Sequence, residues 1–171
     1  MKCQSLKEQI RTIRIQDKDR VLEISSQIWE GDDYLSYVFN DWIKEEDGSF
    51  AGLWCDDNLV AFGKMTVLSP GEIWLEGLRK DQNINIHGVG RILTIFMLDQ
   101  LQNRNLKSIR FSTYFGNTES ITINEKLGFE RIGVFSLKTL HIPEQMDTLY
   151  PLKFNCDHSF TELESYLLNW H

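Results

Sequence analysis

Residues 72–93 read EIWLEGLRKDQNINIHGVGRIL, and this stretch decides the fold. Glu72 to Arg79 is rich in strand formers, and from Gly90 onward Ile92, Leu93, Ile95, Phe96, Leu98 and Leu101 recur at helical spacing. A strand therefore feeds a buried helix through a loop, Asn85-Ile86-His87-Gly88-Val89-Gly90-Arg91. Glycines there let the backbone turn sharply and approach a ligand closely, while the free N–H groups and the dipole of the helix start favour an anion. Glycine pairs also form plain turns, so the neighbouring residues must narrow the reading. A dinucleotide fingerprint needs a third glycine where Leu93 stands and an acidic residue ending the next strand, where Ile109-Arg110-Phe111 is found. A P-loop needs Gly-Lys-Ser/Thr, and Gly90 is followed by Arg91-Ile92. The loop suits a phosphate held in neither of these two ways.

Upstream, Ser49 to Cys55 and Leu59 to Leu68 are strand-forming runs separated by Asp56-Asp57-Asn58, which predicts a hairpin, and Ser69-Pro70-Gly71 turns the chain into the strand at 72. Earlier still, residues 12–15 (TIRI) predict a strand. A helix follows from Asp17 on the spacing of Val21, Leu22, Ile24, Ile28 and Trp29, and a second over 34–45 on that of Tyr34, Leu35, Val38, Phe39, Trp42 and Ile43. Downstream, Ser108 to Thr113 predicts a strand, Asn117 caps a helix that Gly128 stops, and Phe129 to Leu140 reads as extended. After Pro143 and Pro151, the capping-box spacing of Ser159 and Glu162 ahead of Phe160, Leu163, Leu167 and Trp170 predicts a terminal amphipathic helix. A strand meander followed by β-α-β-α-β is the pattern of an α/β layered fold with a mixed sheet.

The chain's 171 residues, 42% hydrophobic and 25% charged with 3 prolines, describe one globular domain. A net charge of -7 repels phosphate backbones and argues against nucleic-acid binding. Cys3, Cys55 and Cys156 include no CxxC pair, so neither a disulfide framework nor a thiolate metal site is expected. No histidine pair has metal-ligand spacing. The first ten residues, MKCQSLKEQI, lack the apolar core of a signal peptide, and no run approaches a membrane span, so a cytoplasmic protein without membrane attachment is expected.

The run from Glu72 to Leu93 resembles motif A of the GNAT superfamily of acyl-CoA N-acyltransferases, in which a strand leads into a Q/R-x-x-G-x-G/A loop and a helix. Gly88 and Gly90 match, and Asn85 stands where Gln or Arg is usual. Asn117-x-x-Ser120-x-x-Ile123-Asn124-Glu125-Lys126-Leu127-Gly128-Phe129 resembles the second signature, N-x-x-A-x-x-x-Y-x-K-x-G-F. The resemblance implies a mixed, mostly antiparallel sheet with helices on both faces. It also implies acetyl-CoA as acyl donor, with the pyrophosphate on residues 85 to 91 (Asn85, Ile86, His87, Gly88, Val89, Gly90, Arg91), the pantetheine along Leu78, Arg79 and Lys80, and Asn117 approaching from the neighbouring helix. It places an acyltransferase domain at 1–140 and leaves 141–171 as an extension packing on the same domain or on a partner subunit, with a homodimer as one arrangement. Asp33-Tyr34-Leu35…Val38-Phe39…Trp42 with Trp74-Leu75-Glu76-Gly77-Leu78-Arg79 resembles the amino-acid acetylating branch that includes histidine N-acetyltransferase.

Acyl transfer to an amine requires removal of a proton from the amine and return of one to the leaving thiolate. Glu76, placed by strand alternation on one face with Trp74 and Leu78, is the candidate base; the alternative is a structural carboxylate paired with a cation or backbone donor. The family's acid is a tyrosine where this chain has Asn124, and an amide cannot supply that proton. Tyr114 is then the nearest hydroxyl by sequence, or else a packed aromatic at a strand end. His87 reads as an exposed loop histidine or a phosphate contact. Tyr34, Trp42 and Trp74 are candidate acceptor-binding residues, and Tyr34, Tyr37 and Trp42 are expected to divide between pocket and core, with two of the three in the core. Aromatic faces and an acidic chain favour a compact cationic amine or free amino acid. Asn85 and Asn124 keep open a second reading, a non-catalytic acyl-CoA sensor with the same fold.

Overall fold

Strands Ile10–Thr12 (β1), Ser49–Cys55 (β2), Asn58–Ser69 (β3), Glu72–Lys80 (β4), Ser108–Ser112 (β5), Glu130–Arg131 (β6) and Leu167–Trp170 (β7) form one sheet in the computed structural model, ordered β1-β2-β3-β4-β5-β7-β6. The structure describes residues 9–28, 31, 33–134 and the backbone of 167–170. Helices Lys18–Ser25 (α1), Leu35–Trp42 (α2), Val89–Asp99 (α3) and Thr118–Glu125 (α4) complete it. β4 and β5 pair in parallel and the other neighbours antiparallel. The mixed, mostly antiparallel α/β sheet expected from the sequence is therefore present.

The hairpin between β2 and β3 follows from its turn. Asp56 (φ 50°) and Asp57 (φ 63°) both take the left-handed conformation that aspartate tolerates and that the twist of a tight hairpin requires. Strand alternation then sorts the core. Phe50, Trp54 and Phe62 face α1 and α2, joining Val21, Ile24 and Phe39. Met65, Ile73, Leu75, Ile109 and Phe111 face the other way, under Met97 of α3 and Phe129. Each such side chain contributes about 1.5–3 kcal/mol on burial, so the two clusters hold helices to opposite faces of the sheet.

Four expectations need correction. The first strand is Ile10–Thr12 rather than 12–15, because Asp17 accepts from the Arg14 backbone N–H at 2.8 Å and from the Arg11 guanidinium, bending the chain into a 3-10 turn over Ile15–Asp17. The first helix ends at Ser25, short of Ile28 and Trp29. The second is Leu35–Trp42, ending before residue 45. Leu167 and Trp170 lie on β7, not on a terminal helix, and β7 sits between β5 and β6. Pairing with the otherwise open edge of β5 outweighs the local helical spacing. The second half of the expected 129–140 strand and most of the 141–171 extension lie outside the described residues.

Candidate active site

β4 and β5 pair only from Glu72 opposite Ser108 to Leu75 opposite Phe111. β5 ends at Ser112 while β4 continues to Lys80, so Glu76–Lys80 keeps β3 along one edge and has no strand on the other among the described residues. The start of α3 lies close to this free edge: a Cβ on Gly90 would touch the Leu78 side chain at 3.4 Å. An extended ligand carrying amide groups can pair with such an edge while its anionic end meets the helix start.

A bulge divides the exposed half of β4. Phe62 pairs with Arg79, but two residues along β3 Lys64 pairs with Glu76, which leaves one extra residue on β4. Gly77 absorbs it with φ 62°, and its bare α-carbon faces the Trp42 ring, whose Cζ3 lies 2.7 Å from where a Cβ would stand. The bulge corrects the alternation assumed for this strand. Trp74 and Glu76 lie on the α1/α2 face, opposite Thr66 and Lys64, whereas Leu78 packs with Ala61, Val89 and Leu93 on the α3 face.

The loop into α3 is built as the sequence implies. Gly88 takes φ 79° at the helix N-cap, and nothing lies within 4 Å of the position a Cβ would occupy. The Ile92 N–H donates to the Gly88 carbonyl at 3.0 Å, so the preceding first-turn N–H groups, at Val89, Gly90 and Arg91, have no acceptor within the helix. Val89 is buried and Ile86 packs against the same cluster, which leaves Asn85, His87, Gly88 and Arg91 exposed. Asp81 fixes the loop's start, accepting from the Asn83 N–H at 2.9 Å and from Arg20 of α1. Burial works against its charge, but the hydrogen bonds from Asn83, Arg20 and Gln27 and the charge of Arg20 outweigh it, holding the carboxyl below the usual range. Asn117 caps α4, its Oδ1 accepting from the Ser120 N–H at 3.1 Å. The residues fit a phosphate-bearing donor.

The α1/α2 face carries the polar groups. Thr66 Oγ1 donates to Glu76 Oε1 at 2.6 Å. Arg79 turns its guanidinium to Asp33, with Nε to Oδ2 at 2.9 Å and Nη2 to Oδ1 at 3.2 Å, and Ser25 Oγ donates to the same carboxylate at 2.8 Å. The Arg79 side chain is thus committed to Asp33 and to the Leu78 carbonyl, to which its Nη1 donates at 3.0 Å. Tyr34 lies between Trp42, ring centroids 6.0 Å apart, and Arg79, 5.8 Å from its ring. Burial raises the Tyr34 hydroxyl above the usual tyrosine range, with Arg79 opposing and Glu76 and Asp33 reinforcing. Glu76, Tyr34, Trp42, Trp74 and Gly77 therefore gather around the bulge.

Of the aromatic trio, only Trp42 (8% exposed) is in the core; Tyr34 is 37% and Tyr37 83% exposed. Tyr114 is 69% exposed in the loop after β5, its ring against Phe115 at 4.6 Å. Asn124 is buried, and its Nδ2 donates to the Ser120 carbonyl at 2.8 Å. Sequence reasoning missed Asp33, Asp81, Thr66, and the Lys64–Glu45 pair. A lone lysine in the apolar run of β3 was the one visible signal among them. Two cavities, of about 360 Å³ beside Trp54 and about 530 Å³ beside Pro70 and Arg104, lie away from the bulge. Among the described residues no helix is long and apolar enough to cross a membrane, and no group of His, Cys, Asp and Glu could hold a metal ion.

The pattern that defines the acetyltransferase (GNAT) family matches residues 14–129. No curated protein matches the sequence at a significant level. Among solved structures, the ribosomal-protein-S18-alanine N-acetyltransferase from Escherichia coli is 18% identical, with 94% of this chain and 91% of that one covered at a TM-score of 0.68. The PaiA N-acetyltransferase from Thermoplasma acidophilum, solved in complex with coenzyme A, is 13% identical over 94% and 96% of the two chains (TM-score 0.61). An aminoglycoside 6'-acetyltransferase type Ii is 19% identical over 74% and 85% (TM-score 0.63). At these identities the likeness concerns the fold.

Proposed function

Because the chain belongs to the acetyltransferase (GNAT) family and is an acetyl-CoA-dependent N-acetyltransferase, we propose that it acetylates the amine of a small molecule or free amino acid, with Glu76 as the base. The observation that supports this is the meeting of three features at Gly77: the free edge of β4, the start of α3, and a carboxylate on the opposite face of the same strand. In this reading the N–H groups of Val89, Gly90 and Arg91 hold the pyrophosphate, and Leu78, Arg79 and Lys80 pair their backbone with the pantetheine. Glu76 accepts the proton that the amine must lose as its nitrogen bonds to the acetyl carbon. The backbone N–H that the bulge leaves without a ladder partner donates to the carbonyl oxygen. As the carbon–sulfur bond breaks, Tyr114 or water returns a proton to the thiolate, since the Asn124 amide cannot.

The acceptor preference is supported by Tyr34, half-exposed at the start of α2 beside Trp42, and by the net charge of -7, both of which favour a compact cation. A thiol-release assay across amines, free amino acids and lysine peptides tests it. Turnover confined to the peptides would refute the preference. Glu76→Gln should lower turnover by about 100-fold or more while thermal stabilisation by acetyl-CoA persists. Unchanged turnover would remove Glu76 from the mechanism.

A further inference from the structure

Lys64 and Glu76 are direct cross-strand partners on one face of the sheet, the arrangement in which opposite charges ordinarily meet. Their charges go elsewhere. The Lys64 side chain is 0% exposed, and its Nζ donates to Glu45 Oε2 at 2.5 Å and to the Met65 carbonyl at 2.9 Å. Glu45 lies just beyond α2, and its other oxygen faces the Val67 N–H at 3.4 Å, so one carboxylate spans the ammonium and the β3 backbone. Gly48 makes the room: a Cβ there would come within 2.6 Å of both Lys64 Nζ and Glu45 Oε1. Glu76 instead takes a neutral donor, Thr66. Tyr34 is the titratable group from another element that interacts with Glu76, and Arg79, which faces Tyr34 as well, is balanced by Asp33.

We propose that Glu45 is a positioning residue for catalysis: by taking the Lys64 ammonium it leaves Glu76 without an ion pair, so that the carboxylate is free to accept the amine proton. This rests on the reading of Glu76 as the base. An ammonium against Glu76 would stabilise its charged form and weaken it as a base, whereas the Thr66 hydroxyl orients the carboxylate at far smaller electrostatic cost. The need for a buried lysine to be neutralised is met by a residue outside the reaction.

The test is a carbon-13 NMR titration of the full-length chain labelled at glutamate side-chain carboxyls, with the Glu76 resonance assigned by its loss in Glu76→Gln. Glu45→Gln should lower the Glu76 midpoint by about one pH unit, and Glu45→Gln/Lys64→Met should restore it. The acid limb of kcat/KM, measured with acetyl-CoA and the fastest amine from the thiol-release assay, should follow both changes. A purely structural role for Glu45 would not be reversed by removing Lys64. An unmoved midpoint in Glu45→Gln, or one the double variant fails to restore, overturns the inference. Lys64→Met alone buries no charge and keeps the question decidable if Glu45→Gln does not fold. Its Glu76 midpoint should stay in place, and a rise of about one unit would show the ammonium already acting on Glu76, overturning the inference. Normal turnover in Glu76→Gln would instead strike at the base assignment, leaving the titration readable by itself.

Discussion

Replacing Gly77 by alanine puts a methyl group where the structure has none to spare. Holding a residue other than glycine at φ 62° costs roughly 1–2 kcal/mol. The new Cβ would lie 2.7 Å from Trp42 Cζ3 and closer still to Cη2, and the ring has little freedom to retreat, since Phe50 sits edge-on at 5.2 Å and Tyr34 at 6.0 Å. Overpacking of that kind adds about 1–3 kcal/mol. Alanine recovers up to about 1 kcal/mol by restricting the unfolded chain, so the net loss should be roughly 3 kcal/mol, a large share of the stability of an ordinary domain. Urea unfolding followed by tryptophan fluorescence should show a lower midpoint with an unchanged slope. Because the contact is with the outer ring of the indole, Trp42→Phe should relieve it, and a double-mutant cycle should return a coupling of about 1–3 kcal/mol. A loss below about 1 kcal/mol for Gly77→Ala, or no coupling to Trp42, would refute the account of the bulge as a glycine-dependent contact with α2.

The start of α3 and the Asp81 anchor offer further tests. Gly88 takes φ 79° with open space around it, so Gly88→Val should fold with a penalty of roughly 1–2 kcal/mol yet lose the thermal shift by acetyl-CoA, which for the parent chain should be worth about 2.7 kcal/mol at 100 times the dissociation constant; a folded variant that binds unchanged would move the phosphate site elsewhere. Asp81, whose carboxyl is held below the usual range, stabilises the fold fully above the unfolded aspartate value of about 3.9 and loses that contribution as pH falls through its lower folded value. Asp81→Asn should therefore cost about 3 kcal/mol at neutral pH, with the gap to the parent chain closing on acidification; a gap that widens toward low pH would refute the assignment.

The sequence by itself determined the elements whose signals are local. Asp56-Asp57 set a tight turn, Gly88 and Gly90 open a helix, and the apolar spacing from Ile92 to Leu101 fixes which face of that helix is buried. Two spaced motifs, 72–93 and 117–129, carried the family and the acyl donor. Only the tertiary structure decided the rest, because the deciding contacts join residues far apart in the chain. The bulge at Gly77 moved Leu78 to the face opposite Glu76, and a single inserted residue reverses a period-two pattern without changing any local propensity. Arg79 met Asp33, and Lys64 met Glu45 in preference to Glu76, by ion pairing that no spacing announces. Leu167–Trp170 became a strand although its spacing was helical, because the backbone groups along the edge of β5 require partners. Local patterns report what one segment buries, whereas charge pairing, register and sheet edges are properties of two segments at once and take their form only when the chain has folded.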